Sequence, residues 1–156
     1  MKRYISEKEE KYYTHMLKIL NSIGVRTLVE YNWLITDIEA YPQDDGEFDK
    51  LISENDYLFL STDELITMLE KEDFQWIWGV FSAIPKKYTK DEVLKYEFPF
   101  ADGNYDIYKE DIYVIQHPLA DIEIVAFDSS CVQIVAKDDG IADKFKELYK
   151  NAKVNY

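Results

Sequence analysis

The chain has 156 residues, 47% hydrophobic, 31% charged and 15% aromatic, which is the content of one domain able to bury roughly 70% of its unfolded surface without a metal or a disulfide. A formal net charge of −13 argues against nucleic acid and anionic lipid as ligands and leaves a basic protein as the compatible partner. One cysteine, no leader-like apolar run after Met1 and no stretch of ~18 apolar residues together predict a cytoplasmic protein with no membrane span.

In chain order, Ser6 to Ile23 reads as an amphipathic helix, with Tyr12, Met16, Leu20 and Ile23 on one stripe, Tyr13 and Leu17 beside it, and Ser6–Glu9 as a capping box. Gly24 is placed to end it. Thr27 to Ala40 reads as a strand, with Val29, Tyr31, Trp33 and Ile35 facing the core and Glu30, Asn32, Leu34 and Thr36 on a mostly wet face. Pro42 to Gly46 is a turn, and Tyr57 to Leu60 a short extended piece.

Ser61 and Glu64 form a capping box for a helix ending near Glu72, its apolar face made of Leu65, Ile66 and Leu69. Phe74 to Ile84 reads as the most buried strand, with Phe74, Trp76, Trp78 and Val80 on one face and Ile77, Phe81 and Ala83 on the other. Two apolar faces mean a central strand, or one whose second face lines a groove. Thr89 to Tyr96 is a short helix, and Glu97 to Asp111 an ordered loop. Ile112 to Gln116, Ile122 to Phe127 and Val132 to Ala136 are strands, the last two joined by a turn at Asp128-Ser129-Ser130. Asp138 starts a final helix carrying Ile141, Phe145, Leu148, Tyr149 and Ala152 on one face. Connections this short predict an α+β domain spanning residues 1–156: a single, mainly antiparallel sheet with helices packed on one face.

Catalytic signatures are missing from the sequence. None of the five glycines sits in a phosphate-binding run, and there is neither a nucleophile elbow nor a zinc-helix motif. The acidic turn at Asp44-Asp45-Gly46-Glu47 fails as a calcium loop, because aligning Gly46 puts Tyr41 where the first carboxylate belongs. His117 or His15 could serve Cys131 as a base, yet an acidic chain raises a thiol pKa, and Cys131 reads as a small core residue. With two histidines and one cysteine, no metal or cofactor is expected.

The aromatic residues are the unusual feature, with 13 tyrosines, 8 phenylalanines and 3 tryptophans. Trp33, Trp76 and Trp78 read as core. Tyr96, Phe98, Phe100, Tyr105 and Tyr108 fit core or surface equally well. They lie in the least regular segment, among Asp102, Asp106, Glu110 and Asp111. Turned outward, they would make a docking loop for a basic partner, with Tyr96, Phe98, Phe100, Asp102, Tyr105, Asp106 and Tyr108 as its binding residues.

Tyr31-Asn32-Trp33, the run His117 to Asp121, the run Ile124 to Ser130, Lys137-Asp138 and Phe145-Lys146 span most of the chain. Through them it resembles a small family of uncharacterised bacterial proteins, a domain of unknown function. The resemblance implies a strand-turn-strand-helix ending and brings no activity, cofactor or site residue. The C-terminal pattern is also similar in style to immunity proteins of bacterial toxin systems, which are small, acidic and α+β. The expected function is therefore a protein-binding module, of the antidote kind that masks a basic partner. An enzyme with a closed pocket near His117, or a small-ligand sensor with an aromatic-lined cavity between sheet and helices, is the alternative.

Overall fold

The computed structural model describes residues 1–7, 14–43, 46–109, 114–129 and 131–154. Seven strands form one antiparallel sheet: β1 (Lys2–Glu7), β2 (Tyr31–Ala40), β3 (Tyr57–Ser61), β4 (Trp76–Pro85), β5 (Ile122–Phe127), β6 (Cys131–Ala136) and β7 (Lys153–Val154), in the order β3-β2-β4-β5-β6-β1-β7. The helices are α1 (Met16–Ile23), α2 (Val25–Leu28), α3 (Glu47–Ser53), α4 (Thr62–Lys71), α5 (Lys90–Val93) and α6 (Asp139–Leu148). The predicted α+β class and antiparallel sheet are observed.

One sheet face carries the main core. Trp33 and Ile35 of β2, Phe81 and Ala83 of β4, Ile122 and Ile124 of β5 and Ile134 of β6 are buried there under α1, α4 and α6. Burying a Leu or Ile side chain is worth ~1.5–3 kcal/mol, so this layer supplies most of the driving force for folding. The capping box at Ser61 and Glu64 starts α4 as expected, with Ser61 Oγ accepting from Glu64 N at 3.2 Å. Asp138 caps α6 by accepting from Gly140 N at 2.8 Å. Gly24 closes α1 with φ of 100°, a conformation glycine alone adopts cheaply.

The chain start departs from expectation. Ser6 lies inside β1, not at a helix cap, and pairs with Val132 across the sheet. Glu9, Tyr12 and Tyr13 lie outside the described residues; the helix proper begins at Met16. Long-range pairing decides this: β1 fills the slot between β6 and β7, and no local pattern announces a partner some 130 residues away. The strand expected from Thr27 begins at Tyr31, because Val25–Leu28 makes one helical turn first. Helix α3 was not foreseen. Asp44, Asp45 and Ser130 lie outside the described residues, as do Glu110, Asp111, Ile112 and Tyr113.

The second sheet face is not wet. Leu34 and Thr36 are buried, as are Val80, Ser82 and Ile84 of β4 and Val125 of β5. The stretches 86–109 and 114–121 run across them, and Val93, Ala101, Ile107 and Ala120 pack against the sheet. The expected strand at Ile112–Gln116 is not seen at Val114–Gln116; the Gln116 N–H is used on a side chain, as described below, and not on a ladder.

Strand β4 also breaks its expected alternation. Trp76 packs in the main core with Phe81, but Trp78 lies on the other face, half-buried against Phe127. A bulge at Ile77 reverses the faces, and a second irregularity in β2 lies between Thr36 and Glu39. Asp37, in that interval, has φ of 52°. Two of the three expected core tryptophans, Trp33 and Trp76, are fully buried.

Candidate functional site

The site is the ring-bearing part of the segment 86–121. Four of its rings face solvent: Tyr96 is 42% exposed, Phe98 39%, Phe100 50% and Tyr105 78%. Asp102 and Asp106 are exposed among them, and Asp106 pairs with Lys109. Residues Tyr105–Tyr108 form a 3-10 turn; the Tyr108 side chain lies outside the described atoms. An ordinary surface scatters single large apolar side chains, whereas this one gathers four within ten residues.

These rings are exposed although their backbone is tied down. The unusual backbone of Asp37 turns its carboxylate toward the loop, where Oδ2 accepts from Ala101 N and Asp102 N, each at 2.7 Å. Thr36 Oγ1 donates to the Pro99 carbonyl at 2.7 Å. Gln116 Oε1 accepts from Phe100 N and from Asn104 Nδ2, both at 3.1 Å. Ala101 is fully buried against the sheet, and Phe98 leans on Tyr57 of β3 with ring centroids 5.1 Å apart. Hydrogen bonds to a carboxylate are about twice as strong as neutral ones, so Asp37 is the principal clamp.

Under the clamp lies a buried carboxyl. Glu123 of β5 accepts from Gln116 N at 2.9 Å and from Gln116 Nε2 at 3.2 Å. Burial pushes its pKa up to about 7, although these hydrogen bonds and one from the His117 backbone pull the other way. Ser82 lies directly opposite Glu123 in the β4–β5 register, and its buried hydroxyl finds no partner among the described residues. Arg3 of β1 is buried nearby on the same face. Its guanidinium donates to Gln133 Oε1 at 3.0 Å, to the Lys109 carbonyl at 2.9 Å and to the Ile107 carbonyl. Sequence reasoning missed Thr36, Asp37, Gln116 and Glu123. No local pattern marks them: Thr36 and Asp37 act on the loop more than 60 residues away, and Gln116 and Glu123 meet across an irregular turn that shows no periodicity.

His117 is a structural residue. Its Nδ1 accepts from Leu119 N at 3.2 Å, which leaves the proton on Nε2, 3.2 Å from the Val93 carbonyl. Burial lowers its pKa, which disfavours the charged ring. Its backbone donates to Glu123, whereas Cys131 pairs with Phe127, roughly 14 Å further along β5. Cys131 is a buried core residue. The two cannot form a nucleophile-base pair.

A second feature is a groove of about 610 Å³ bordered by His15, Tyr41, Glu72, Asp73, Phe74 and Ile77 among the described residues. His15 Nδ1 lies 2.8 Å from the Asp73 carbonyl and 3.7 Å from its carboxylate. Asp73 Oδ1 accepts from Leu17 N at 3.3 Å, capping α1 from outside it. Partial burial raises the Asp73 pKa. Among the described residues no three His, Cys, Asp or Glu side chains gather as a metal site, and no helix is long and apolar enough to cross a membrane. Compared with family models, curated proteins and solved structures, the chain finds no match.

Proposed function

We propose that this protein is a protein-binding module that uses the loop from Tyr96 to Tyr108 to dock a basic partner, in the manner of an antidote that masks it. The observation carrying this reading is the pairing of four exposed rings with a clamped backbone. Rings contribute large contact area, and a loop already fixed in place loses little entropy on binding. Asp102 and Asp106 among the rings, and the net charge of −13, favour a cationic surface and fast, salt-sensitive association.

The test compares the native chain with a variant carrying Phe100→Ala and Tyr105→Ala as bait in lysate of the source organism. The expected result is a basic protein captured at low salt by the native chain, released at high salt and weakened on the variant. No basic protein retained at low salt, or equal retention by the variant, would overturn the reading.

The groove beside His15 supports a second reading, a small-ligand site. Its volume of about 610 Å³ falls within the ~300–1,000 Å³ usual for such sites. It has Tyr41 and Phe74 as rings and Glu72 and Asp73 as carboxylates. A screen of small amines by ligand-observed NMR, with His15→Ala as control, tests it.

A further inference from the structure

We propose that the open edge of β3 is a docking site for an extended, basic segment of another protein, which adds to the sheet as an eighth strand. This does not rest on the role proposed for the aromatic loop. Among the described residues β3 ends the sheet and pairs with β2 alone. Ser61 N is bonded to Glu64 Oε2 at 2.7 Å, so it is turned away from β2. Alternation along an antiparallel strand then points the N–H and C=O groups of Phe59 and Tyr57 outward as well. Among the described residues no backbone group from another segment reaches those two residues. An unpaired edge is a template for another strand.

The edge lacks the usual protection. Tyr57 to Ser61 contains no charged residue and no proline, although edge strands normally carry one or the other. Apolar surface flanks it on both sides. On one face Tyr57 and Phe59 are half-buried, with Phe98 against Tyr57. On the other, Leu60 opens into a groove of about 340 Å³ floored by Phe48, Leu51 and Met68 between α3 and α4. An added strand sends alternate side chains to the two flanks, so each face has somewhere to receive them.

Charge selects the occupant. Asp56 precedes the edge, and Glu47, Asp63 and Glu64 surround the groove, all exposed. Lys71 at the groove is already held by Glu47 at 3.2 Å, and Lys50 lies 3.8 Å from Glu54. A second copy of the chain would bring the same acids and another net charge of −13 to the same place, which opposes self-pairing. A helix would leave the outward groups of Tyr57 and Phe59 unused. A strand with lysine or arginine at intervals satisfies both the backbone and the rim.

The probe is a fluorescein-labelled peptide of about seven residues alternating lysine and valine. Its controls carry glutamate for lysine, a central proline, or N-methylated amides on alternate residues. Binding to the full chain is read by anisotropy, and the chain's own mass by sedimentation. The lysine peptide is expected to bind, with each control weakened about tenfold or more. Phe59→Pro removes an outward N–H together with the Phe59 ring and leaves the bonds to β2 in place; it is expected to lose binding, whereas Phe59→Ala, which keeps the N–H, is expected to retain more of it. Should the proline variant fail to fold, the N-methylated peptide poses the same question from the ligand side. Equal binding by the proline or N-methylated peptide would reduce the effect to charge and overturn the proposal. Binding of the glutamate peptide would overturn its charge argument. A dimer that Phe59→Pro abolishes would assign the edge to a second copy instead.

Discussion

Glu123 gives the sharpest test of how the loop is anchored. Its carboxyl titrates near 7 when folded, against an ordinary glutamate value of ~4.3 to 4.5 once unfolded. Between those values the folded chain holds a proton that the unfolded chain has released, so stability must fall as pH rises through that window and level off above about 7. The difference between the two values corresponds to ~3 kcal/mol, most of it lost between about pH 5 and pH 8. The cause is desolvation, because Glu123 sits under the segment 86–121 and the hydrogen bonds from Gln116 and His117 only partly compensate.

Glu123→Gln deletes this titration while keeping an acceptor for Gln116 and an amide that can reach toward the Ser82 hydroxyl opposite it. Urea denaturation of both proteins across the pH range gives a difference curve in which the titrations of other groups cancel. The native chain is expected to lose ~2–3 kcal/mol relative to the variant from about pH 5 to pH 8. A difference curve flat within about 0.5 kcal/mol would refute the reasoning, and a curve of opposite sign would mean that Glu123 is held ionised.

Asp37→Gly keeps a residue able to adopt φ of 52° and removes the carboxylate that holds Ala101 and Asp102. Those two amides are expected to exchange with solvent about tenfold faster or more, and unchanged rates would sink the clamp. A methyl group at Gly79 would lie 3.2 Å from both the Trp76 and Phe81 rings. Gly79→Ala is therefore expected to destabilise by ~1–3 kcal/mol in urea, whereas a loss below about 0.5 kcal/mol would mean that the rings yield. Ser61→Ala removes the α4 cap and is expected to cost ~1 kcal/mol; an unchanged midpoint would mean that Glu64, which also accepts from Ser61 N at 2.7 Å, suffices alone.

Local patterns carried the parts of the fold built from local interactions. The Ser61–Glu64 box, the apolar stripe of α6 and the Phe127–Cys131 hairpin each show a start, a period and a stop within a few residues. Where partners are far apart, the pattern misleads. Arg3 looks like a surface charge beside Met1, yet it is buried because Gln133 and two loop carbonyls receive it. Leu34 and Thr36 look like the wet side of an amphipathic strand until a segment more than 50 residues later covers them. Bulges at Ile77 and Asp37 break the period of two, and nothing in the sequence marks them. The rings of Tyr96 and Phe100 could not be assigned to core or surface by type, since aromatic side chains suit both; the position of Ala101, buried between exposed neighbours, decides it.

Several buried polar side chains of the second sheet face share one target. Arg3 reaches the carbonyls of Ile107 and Lys109, Thr36 that of Pro99, and Glu123 the amide of Gln116, all within the segment 86–121. Burying such groups costs free energy, and apolar replacements of similar shape are often neutral or better for stability. The return is geometric. Apolar contacts alone would let an irregular segment slide over a flat sheet, whereas directional bonds from β1, β2 and β5 hold it in one register. Thr36→Val leaves the buried Pro99 carbonyl without its donor and is expected to cost ~1–3 kcal/mol; if this arrangement serves recognition, partner binding should also weaken under conditions where the variant is fully folded, which a purely structural role does not produce.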